Sequence, residues 1–255
     1  MERIKFLLSL LCVGTLCLTM ISCDNDDDKY YVNSWIGFAT VNAPGTTGEF
    51  PVGQGGFGLT FDDGTKMWPR MIDTRLAQVR TFDKQRMIVD FTYLNDTKEG
   101  YDHTICVNNL RTILTKNIAT VNNSTTDAHL LANDKIRIVN AWVGDNYINI
   151  VFDYSASPGS THYINLIDDQ RTPVTNPDNG VYSLTFVHDA NNDTGTYKAR
   201  GYVSFPIPEN IGQFTKIKIF AKGESTDQEF IIEYKNTSPT DESILKLIDN
   251  TNEIL

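Results

Sequence analysis

One alternating stretch decides the fold of this 255-residue chain: Tyr147-Ile148-Asn149-Ile150-Val151-Phe152-Asp153-Tyr154. The apolar set Ile148, Ile150, Phe152 and Tyr154 occupies every second position and shares one face. Such alternation predicts a strand with that face toward a core, and the preceding Gly144-Asp145-Asn146 predicts a tight turn. Six more strand signals surround it, at residues 135–143, 161–167, 181–188, 197–205, 216–221 and 229–234. Short, evenly spaced strands predict an antiparallel β-sandwich over residues 135–236.

The first half of the chain carries less regular strand signals. Aromatic and β-branched side chains predict strands at 35–41, 59–61, 79–82 and 86–94, and the last alternates with Met87, Val89, Phe91 and Tyr93 on one face. Asp62-Asp63-Gly64-Thr65 predicts a hairpin turn, and we expect a turn near Asn108-Asn109 to break the β-rich stretch 103–121. The pattern predicts an all-β domain over residues 35–122, followed by a small, polar linker over residues 123–134.

The last segment, residues 237–255, predicts a short C-terminal helix. Ser238 suits an N-cap, Pro239 the first helical position, and Asp241 stands three residues after the cap. Four apolar residues then follow at helical spacing, namely Ile244, Leu245, Leu247 and Ile248. We expect this helix to pack on the sandwich, with binding of a partner as the alternative.

The N-terminus predicts export and lipid attachment. Arg3 and Lys5 precede an apolar run over residues 6–21, which is typical of a secretory signal peptide over residues 1–22. Met20-Ile21-Ser22-Cys23 resembles a lipobox, so Cys23 becomes the lipidated N-terminus. Two or three acyl chains on one residue make attachment effectively permanent, because each buried methylene contributes about 0.8 kcal/mol. A plain cleaved signal or an uncleaved N-terminal helix is the alternative.

An acidic tether over residues 23–34 follows the cysteine. It begins with four carboxylates, at Asp24, Asp26, Asp27 and Asp28. Like charges keep such a segment extended, which predicts a solvated tether. The same run is similar to the signal that sends lipoproteins of Bacteroidota-type bacteria to the outer face of the outer membrane. We therefore expect an outer-membrane lipoprotein on the cell surface, with a periplasm-facing orientation as the alternative.

The charge of the chain argues against nucleic acid as a partner. Removal of residues 1–22 leaves 233 residues and takes away Glu2, Arg3 and Lys5, so the net charge moves from −10 to −11. A chain this acidic repels phosphate backbones and anionic membrane surfaces, which fits membrane attachment through the lipid on Cys23.

Cysteine usage excludes an intramolecular disulfide in the mature chain. Cys12 and Cys17 lie in the predicted signal, and Cys23 carries the lipid, which leaves Cys106 alone. Cys106 stands in an alternating apolar stretch, so we expect a small buried hydrophobic residue rather than a reactive thiol.

Neither a metal nor another cofactor is predicted. The four histidines, His103, His129, His162 and His188, show no ligand spacing, although His162 and His188 could meet across strands. Residues 189–195 resemble the first half of a calcium loop, but Thr194 replaces the usual glycine and Arg200 the usual glutamate. We expect a polar hairpin turn there.

No catalytic constellation is predicted either. We expect Ser160 and His162, two residues apart on a strand, to point the same way without facing each other. Adjacent Asp168 and Asp169 would point to opposite faces, so they do not form a glycosidase pair. An enzyme would need a pocket that gathers His162 or His188 with carboxylates.

Aromatic residues are the better candidates for binding. Trp35, Trp68 and Trp142 are the candidate ligand-binding residues, together with Tyr30 and Tyr31 as further aromatic contacts. Each could stack on a sugar ring or anchor a protein partner. The alternative for each is a place in the core, where most aromatic residues of a β protein lie.

Several short motifs resemble the NigD-like lipoprotein family. They are Tyr30-Tyr31 and Trp35-Ile36 after the acidic run, Tyr101-Asp102-His103, Ile113-Leu114-Thr115-Lys116, Asn133-Asp134 with Trp142, Tyr147-Ile148-Asn149-Ile150, His162-Tyr163-Ile164-Asn165-Leu166 and His188-Asp189-Ala190-Asn191. Ile148 departs from the Leu expected there, and the tail from Ser238 lies outside the similar region.

The resemblance implies an OB-like barrel in the first half, a β-sandwich in the second, and no established activity. OB folds often bind oligonucleotides or oligosaccharides. We therefore expect a non-catalytic lipoprotein that binds a glycan or a protein partner. A structural or immunity-type envelope component is the alternative, and an enzyme ranks third.

Overall fold

The computed structural model describes residues 34–171, 180–209 and 214–235. Within these ranges lie sixteen β-strands, one short α-helix and two single 3-10 turns. Cys23, the acidic tether, Tyr30, Tyr31 and the predicted C-terminal helix lie outside the described residues. No helix in the described ranges is both long enough and apolar enough to span a membrane.

The first half folds into a small closed barrel. Five strands close it in the order β1-β3-β4-β7-β6, with β4 and β7 parallel and the other pairs antiparallel. The strands of this half are β1 Trp35–Asn42, β2 Phe50–Pro51, β3 Gly58–Phe61, β4 Lys66–Ile72, β5 Arg80–Thr81, β6 Arg86–Leu94 and β7 His103–Thr112. A five-stranded closed barrel is the architecture of an OB fold, so the expectation of an OB-like first domain is confirmed.

The barrel interior follows the predicted alternation. Met87, Val89 and Phe91 of β6 are 0%, 0% and 3% exposed and pack against Ala39 and Val41 of β1. The predicted turn at Asp62-Asp63-Gly64-Thr65 joins β3 to β4, with the left-handed backbone at Gly64 (φ 92°). The sequence pattern therefore identified both the inward face of β6 and the hairpin.

The turn predicted near Asn108-Asn109 is wrong. β7 continues from His103 to Thr112, and Asn108 is an extra residue in a β-bulge opposite Asp90 and Phe91. The Asn108 side-chain amide donates to Asp90 (3.1 Å) and to Thr92 (3.0 Å) across the bulge. Two consecutive asparagines are compatible with a turn that ends the strand and with a bulge inside it. Only the pairing of β7 with β6 shows which of the two is formed.

The second half forms the predicted sandwich, but its sheets are mixed rather than purely antiparallel. One sheet has the order β10-β11-β14-β8 and the other β16-β15-β13-β12-β9, and the pairs β14–β8, β12–β9 and β13–β15 are parallel. The strands are β8 Leu114–Thr115, β9 Ala119–Val121, β10 Arg137–Gly144, β11 Tyr147–Ala156, β12 Tyr163–Asp169, β13 Val181–Asp189, β14 Tyr197–Pro206, β15 Lys216–Ala221 and β16 Gln228–Glu233.

Residues 114–121 differ from the predicted division of the chain. The sequence pattern assigned them to the first domain, whereas β8 pairs with β14 and β9 with β12, so both complete the sandwich sheets. The linker that follows contains the short helix α1, Ala128–Leu131, capped by the Asp127 side chain. The chain therefore passes from barrel to sandwich immediately after β7.

The alternation of β11 places its apolar set in the sandwich core, as predicted. Ile148, Ile150 and Phe152 are at most 3% exposed and pack against Leu166 and Phe186 of the facing sheet. The turn before β11 has a left-handed backbone at Asp145 (φ 44°) and Asn146 (φ 63°), which matches the right-handed twist of a two-residue hairpin.

The other face of β11 is buried as well. Tyr147, Asn149 and Val151 are 8%, 1% and 0% exposed, because this face packs on the outer surface of the barrel. Phe38 of β1 contacts Trp142 of β10 edge-on, with ring centroids 4.8 Å apart. The two domains therefore share a second, smaller core.

A buried ion pair lies in this shared core. Arg86 of β6 donates to Asp62 at 2.5 Å, and both side chains are 0% exposed. The sandwich completes the site, since Trp142 Nε1 donates to Asp62 (2.7 Å) and Asn149 Oδ1 accepts from Arg86 (2.9 Å). Burial raises the pKa of Asp62, and the positive charge of Arg86 opposes this effect. Barrel and sandwich thus satisfy each other's buried polar groups.

Replacing Asp62 tests this interpretation. Asp62→Asn leaves Arg86 buried without a counter-charge, and we expect it to lower the free energy of unfolding by roughly 3–5 kcal/mol. Chemical denaturation is the measurement. Asp63→Asn in the same turn is the matched control, because Asn can still accept the 2.8 Å hydrogen bond from the Thr65 amide. A similar small loss in both variants would contradict a structural role for the ion pair.

Candidate functional site

The three candidate tryptophans lie in three different environments. Trp142 is 6% exposed and belongs to the interface between the domains, where its indole N–H binds Asp62. Trp68 points outward from β4 and is half-buried beneath Tyr101 and Lys98, with the Tyr101 ring 5.2 Å away and the Lys98 ammonium 5.1 Å from its ring centroid. Trp35 is 44% exposed at the start of β1. The fold does not bring the three together.

Trp35 belongs instead to an exposed aromatic group at the open end of the barrel. Its ring lies 5.9 Å from that of Tyr93, and Tyr93 lies 4.9 Å from the ring of His103. Tyr93 is 41% exposed, and His103 is also exposed. We call Trp35, Tyr93 and His103 the barrel-mouth cluster.

Strand register explains why these rings are exposed. Trp35 pairs with Phe91, so it takes an inward-facing position of β1, and Tyr93 takes the next inward-facing position of β6. His103 pairs with buried Met67. All three positions face inward but lie beyond the last layer of the core, so their rings meet at the barrel opening. The alternation of β6 predicted the face on which Tyr93 lies. His103 was not predicted to join it, because Tyr93 belongs to another strand.

A second group of polar residues lies at one end of the sandwich, where His162 and His188 meet as the sequence suggested they could. Their rings stack at 5.1 Å, and His162 Nδ1 lies 2.8 Å from His188 Nε2. His188 Nδ1 lies 2.9 Å from the Lys135 carbonyl, and His162 Nε2 lies 3.0 Å from an Asp193 oxygen. His188 is 3% exposed, and the His162 side chain is 6% exposed.

One of these contacts locates a hydrogen. A carbonyl only accepts, so His188 Nδ1 carries a hydrogen, and in the neutral ring Nε2 is then an acceptor for His162 Nδ1. Burial lowers the pKa of His188, and neighbouring His162 acts in the same direction. Hydrogen bonds from the Ser157 and Gly195 amides are the main cause that holds the pKa of Asp193 well below its usual range.

Ser160 and His162 contact each other, so the expectation that they would not is wrong. Both precede β12 in a loop, and Ser160 Oγ lies 3.0 Å from His162 Nε2. In a nucleophilic triad the acid binds one ring nitrogen and the nucleophile binds the other. Here Asp193 and Ser160 share Nε2, and Ser160 donates to the Ser157 carbonyl at 2.7 Å. The arrangement lacks the connections of a triad.

The loop that resembles a calcium site connects the two sheets, so the predicted hairpin is wrong. β13 and β14 belong to different sheets, and the chain crosses between them with a left-handed backbone at Asn191 and Asn192. Asp189 accepts from the Asn191 amide (2.7 Å) and Asp193 from the Gly195 amide (3.0 Å). The described ranges hold no group of three ligands suited to a metal ion.

The adjacent carboxylates point apart. Asp168 accepts from the Tyr182 hydroxyl at 2.8 Å, whereas Asp169 accepts from Arg171 at 2.6 Å. Cys106 is a half-buried free thiol, and burial raises its pKa, so the reactive thiolate is disfavoured.

A cavity of about 320 Å³ opens beside His188 at the same end of the sandwich. Four carboxylates line it, namely Asp134, Asp153, Asp193 and Glu224, and so does the ring of Tyr154. We call this cavity the rim groove. Sequence reasoning missed it, because its lining comes from five separate segments of the chain.

The fold and these surfaces define a class: a two-domain protein with an OB-like barrel, a β-sandwich and a polar interface between them. Residues 39–113 match the model of the NigD-like N-terminal OB domain, and residues 117–234 match that of the NigD-like C-terminal beta sandwich domain. The chain belongs to the NigD-like family.

Solved structures extend this likeness. A protein of unknown function from Bacteroides vulgatus aligns over 82% of this chain and 93% of its own, with a TM-score of 0.65 and 21% identity. A structure described as toxin-related, from Parabacteroides distasonis, aligns over 86% and 100%, with a TM-score of 0.61 and 29% identity. A NigD-like immunity protein from Bacteroides caccae aligns over 81% and 100%, with a TM-score of 0.52 and 21% identity. Curated proteins give no match.

The buried histidine pair predicts a pH-dependent effect on stability. The pKa of His188 is lowered in the folded state. As the pH falls through about 6.5, His188 therefore binds a proton in the unfolded chain before it does so in the folded protein. Protonation of the unfolded chain lowers the free energy of unfolding. We expect His188→Asn, which can still donate to the Lys135 carbonyl, to be less stable than wild type at pH 7.5. The difference in unfolding free energy should narrow toward pH 5.5.

Chemical denaturation at a series of pH values measures this difference. His103→Asn is the control, because it removes an exposed histidine that is not part of the buried pair. A difference that widens for His188→Asn as the pH falls would contradict the neutral, buried state of that ring.

Proposed function

We propose that this chain is an outer-membrane lipoprotein of the cell surface that binds a glycan without catalysis through the barrel-mouth cluster. The observation that carries the proposal is the exposure of Trp35 and Tyr93, 44% and 41%, side by side at the barrel opening. Large aromatic rings are normally placed where they bury their surface. Two adjacent exposed rings therefore suit a surface that a ligand covers.

The geometry of the cluster favours a sugar ring as the ligand. Trp35 and Tyr93 meet at 66° and Tyr93 and His103 at 71°, so the three rings form a bent wall instead of a flat patch. Such a wall offers apolar faces to a sugar ring, and the indole N–H, phenol and imidazole supply polar edges. OB barrels often bind oligosaccharides, which agrees with this choice.

The contacts of the polar groups support a role without catalysis. The rim groove gathers His188 with carboxylates, which is the arrangement that an enzyme would need. However, both ring nitrogens of His188 are engaged, Nδ1 by the Lys135 carbonyl and Nε2 by His162. A general acid or base must reach the proton that it transfers, and His188 has no nitrogen left for a substrate.

Attachment to the membrane rests on the sequence. Cys23 supplies the lipidation site, and the aspartates of residues 24–28 supply the signal for the outer face.

A second candidate function is binding of a partner protein at the sandwich edge, as for an immunity-type component. Within the described residues β16 ends its sheet, and Ile231 on β16 and Phe220 on β15 are 54% and 38% exposed. An open edge with apolar side chains can accept an added strand. The immunity protein from Bacteroides caccae shares the fold at 21% identity, which motivates this candidate and does not decide it.

Alanine substitutions separate the two candidates. We expect Trp35→Ala and Tyr93→Ala each to weaken glycan binding about tenfold, because central aromatic contacts dominate such surfaces. Glycan-array binding followed by calorimetry on the best array member is the measurement. Phe220→Ala is the matched control, since it removes an exposed aromatic ring from the other domain. If only Phe220→Ala lost glycan binding, the result would contradict a site at the barrel-mouth cluster and indicate one at the sandwich edge.

Protease treatment of intact cells tests the location. We expect the wild-type protein to be digested, because the acidic run directs it outward. Replacing Asp24, Asp26, Asp27 and Asp28 by Asn should leave it protected. A control with Asp63, Asp96, Asp127 and Asp227 replaced by Asn changes the charge equally and should remain digestible. Protection of the wild type, with a periplasmic marker intact, would contradict surface exposure.

A further inference from the structure

The rim groove is a formed cavity with no role in the function proposed above. Five segments converge on it: the start of β10, the end of β11, the end of β13, the loop before β14 and the loop after β15. Its volume of about 320 Å³ is at the low end of the ~300–1,000 Å³ of small-molecule clefts. The size alone suits one small ligand or the end of a longer one.

Most charges in the groove are paired with opposite charges. Asp153 accepts from Arg200 at 2.7 and 3.0 Å and also from Arg137. These hydrogen bonds outweigh burial and lower the pKa of Asp153. Glu224 pairs with Lys198. Lys222 likewise lies 3.1 Å from Asp227. Within the described residues, Lys135 and Asp134 line the groove without an ion pair, and they carry opposite signs. The groove therefore leaves no single sign in excess, which favours a neutral ligand.

The back wall of the groove is aromatic and held in place. The Tyr154 ring packs edge-on against His162 (4.9 Å) and His188 (5.7 Å), and those two rings are fixed by their own hydrogen bonds. Burial raises the pKa of Tyr154, so its hydroxyl remains a neutral donor. A wall whose rings cannot rotate freely loses little entropy when a ligand binds.

Two donors and one acceptor remain available to a ligand. Within residues 34–171, 180–209 and 214–235, neither the Tyr154 hydroxyl nor the Lys135 ammonium has a protein hydrogen-bond partner. Asp134 uses Oδ2 to accept from the Ala190 amide at 2.8 Å, which leaves its other oxygen open. Separate donors and acceptors around an aromatic wall match a ring that carries several hydroxyl groups.

We propose that the rim groove is a second binding site, specific for a neutral sugar residue. The sugar ring packs on Tyr154, whose hydroxyl donates to it, and Asp134 and Lys135 contact the neighbouring hydroxyl groups. The site lies in the sandwich, whereas the barrel-mouth cluster lies in the barrel. The proposal therefore stands or falls independently of the function proposed for that cluster.

Saturation-transfer NMR on the purified full chain tests the proposal. The probes are glucose, galactose, mannose, fucose and N-acetylglucosamine, with sodium phosphate and sodium acetate as charged probes. We expect transfer to at least one neutral sugar and none to the charged probes. Tyr154→Phe retains the ring packing and removes the free hydroxyl, so it should weaken sugar binding at least threefold.

Two further variants assign the signal to a domain. Ala190→Trp fills the groove without removing an ion pair and should abolish the transfer, while Trp35→Ala should leave it unchanged. Circular dichroism establishes that each variant is folded. Absence of transfer to every sugar would overturn the proposal. Transfer that persists in Ala190→Trp, disappears in Trp35→Ala or favours phosphate or acetate would overturn it as well.

Discussion

The buried ion pair between Arg86 and Asp62 is the constraint on which the rest of the structure depends. Both residues belong to the barrel, where Arg86 also donates to Thr40, yet the other partners, Trp142, Asn149 and Ser204, come from the sandwich. An ion pair without exposure to water is costly unless every polar atom has a partner. The barrel cannot bury this pair alone, so the sandwich must pack against it. Gly144 makes room, since a Cβ there would lie 2.3 Å from the Asp62 carboxyl carbon.

This packing gives β11 two buried faces with different chemistry. Ile148, Ile150 and Phe152 fill the sandwich core, while Asn149 on the opposite face completes the ion-pair site. The alternation of β11 thus looks like that of a half-exposed strand although both faces are covered. The two proposed ligand sites, the barrel-mouth cluster and the rim groove, each combine an aromatic wall with polar edges and use no residue of the ion-pair site.

A candidate site could be predicted from the sequence only where its residues are close together along the chain. Trp35 was proposed from the sequence as a binding residue, whereas Tyr93 was only placed on one face of β6. The register between β1 and β6 shows that both continue an inward-facing series. The sequence could not show that Trp142 is buried and not a binding residue. Its burial depends on the bond from its indole N–H to Asp62, which lies 80 residues earlier in the chain. The rim groove combines residues from 133 to 224, so no local pattern signals it. The contact between Ser160 and His162 was missed because that segment is a loop and not a strand.

The sequence by itself determined most of the strand positions, the inward faces of β6 and β11, the hairpins at residues 62–65 and 144–146 and the sandwich in the second half. These features depend on side-chain alternation and turn chemistry, which act over a few residues. The barrel in the first half was expected only from the family resemblance. Only the tertiary structure decided that Asn108 forms a bulge, that β8 and β9 join the sandwich, that three strand pairs are parallel and that Arg86 and Asp62 are buried together. Pairing between strands and burial of charge depend on segments distant in the chain, and a local pattern carries no information about the partner.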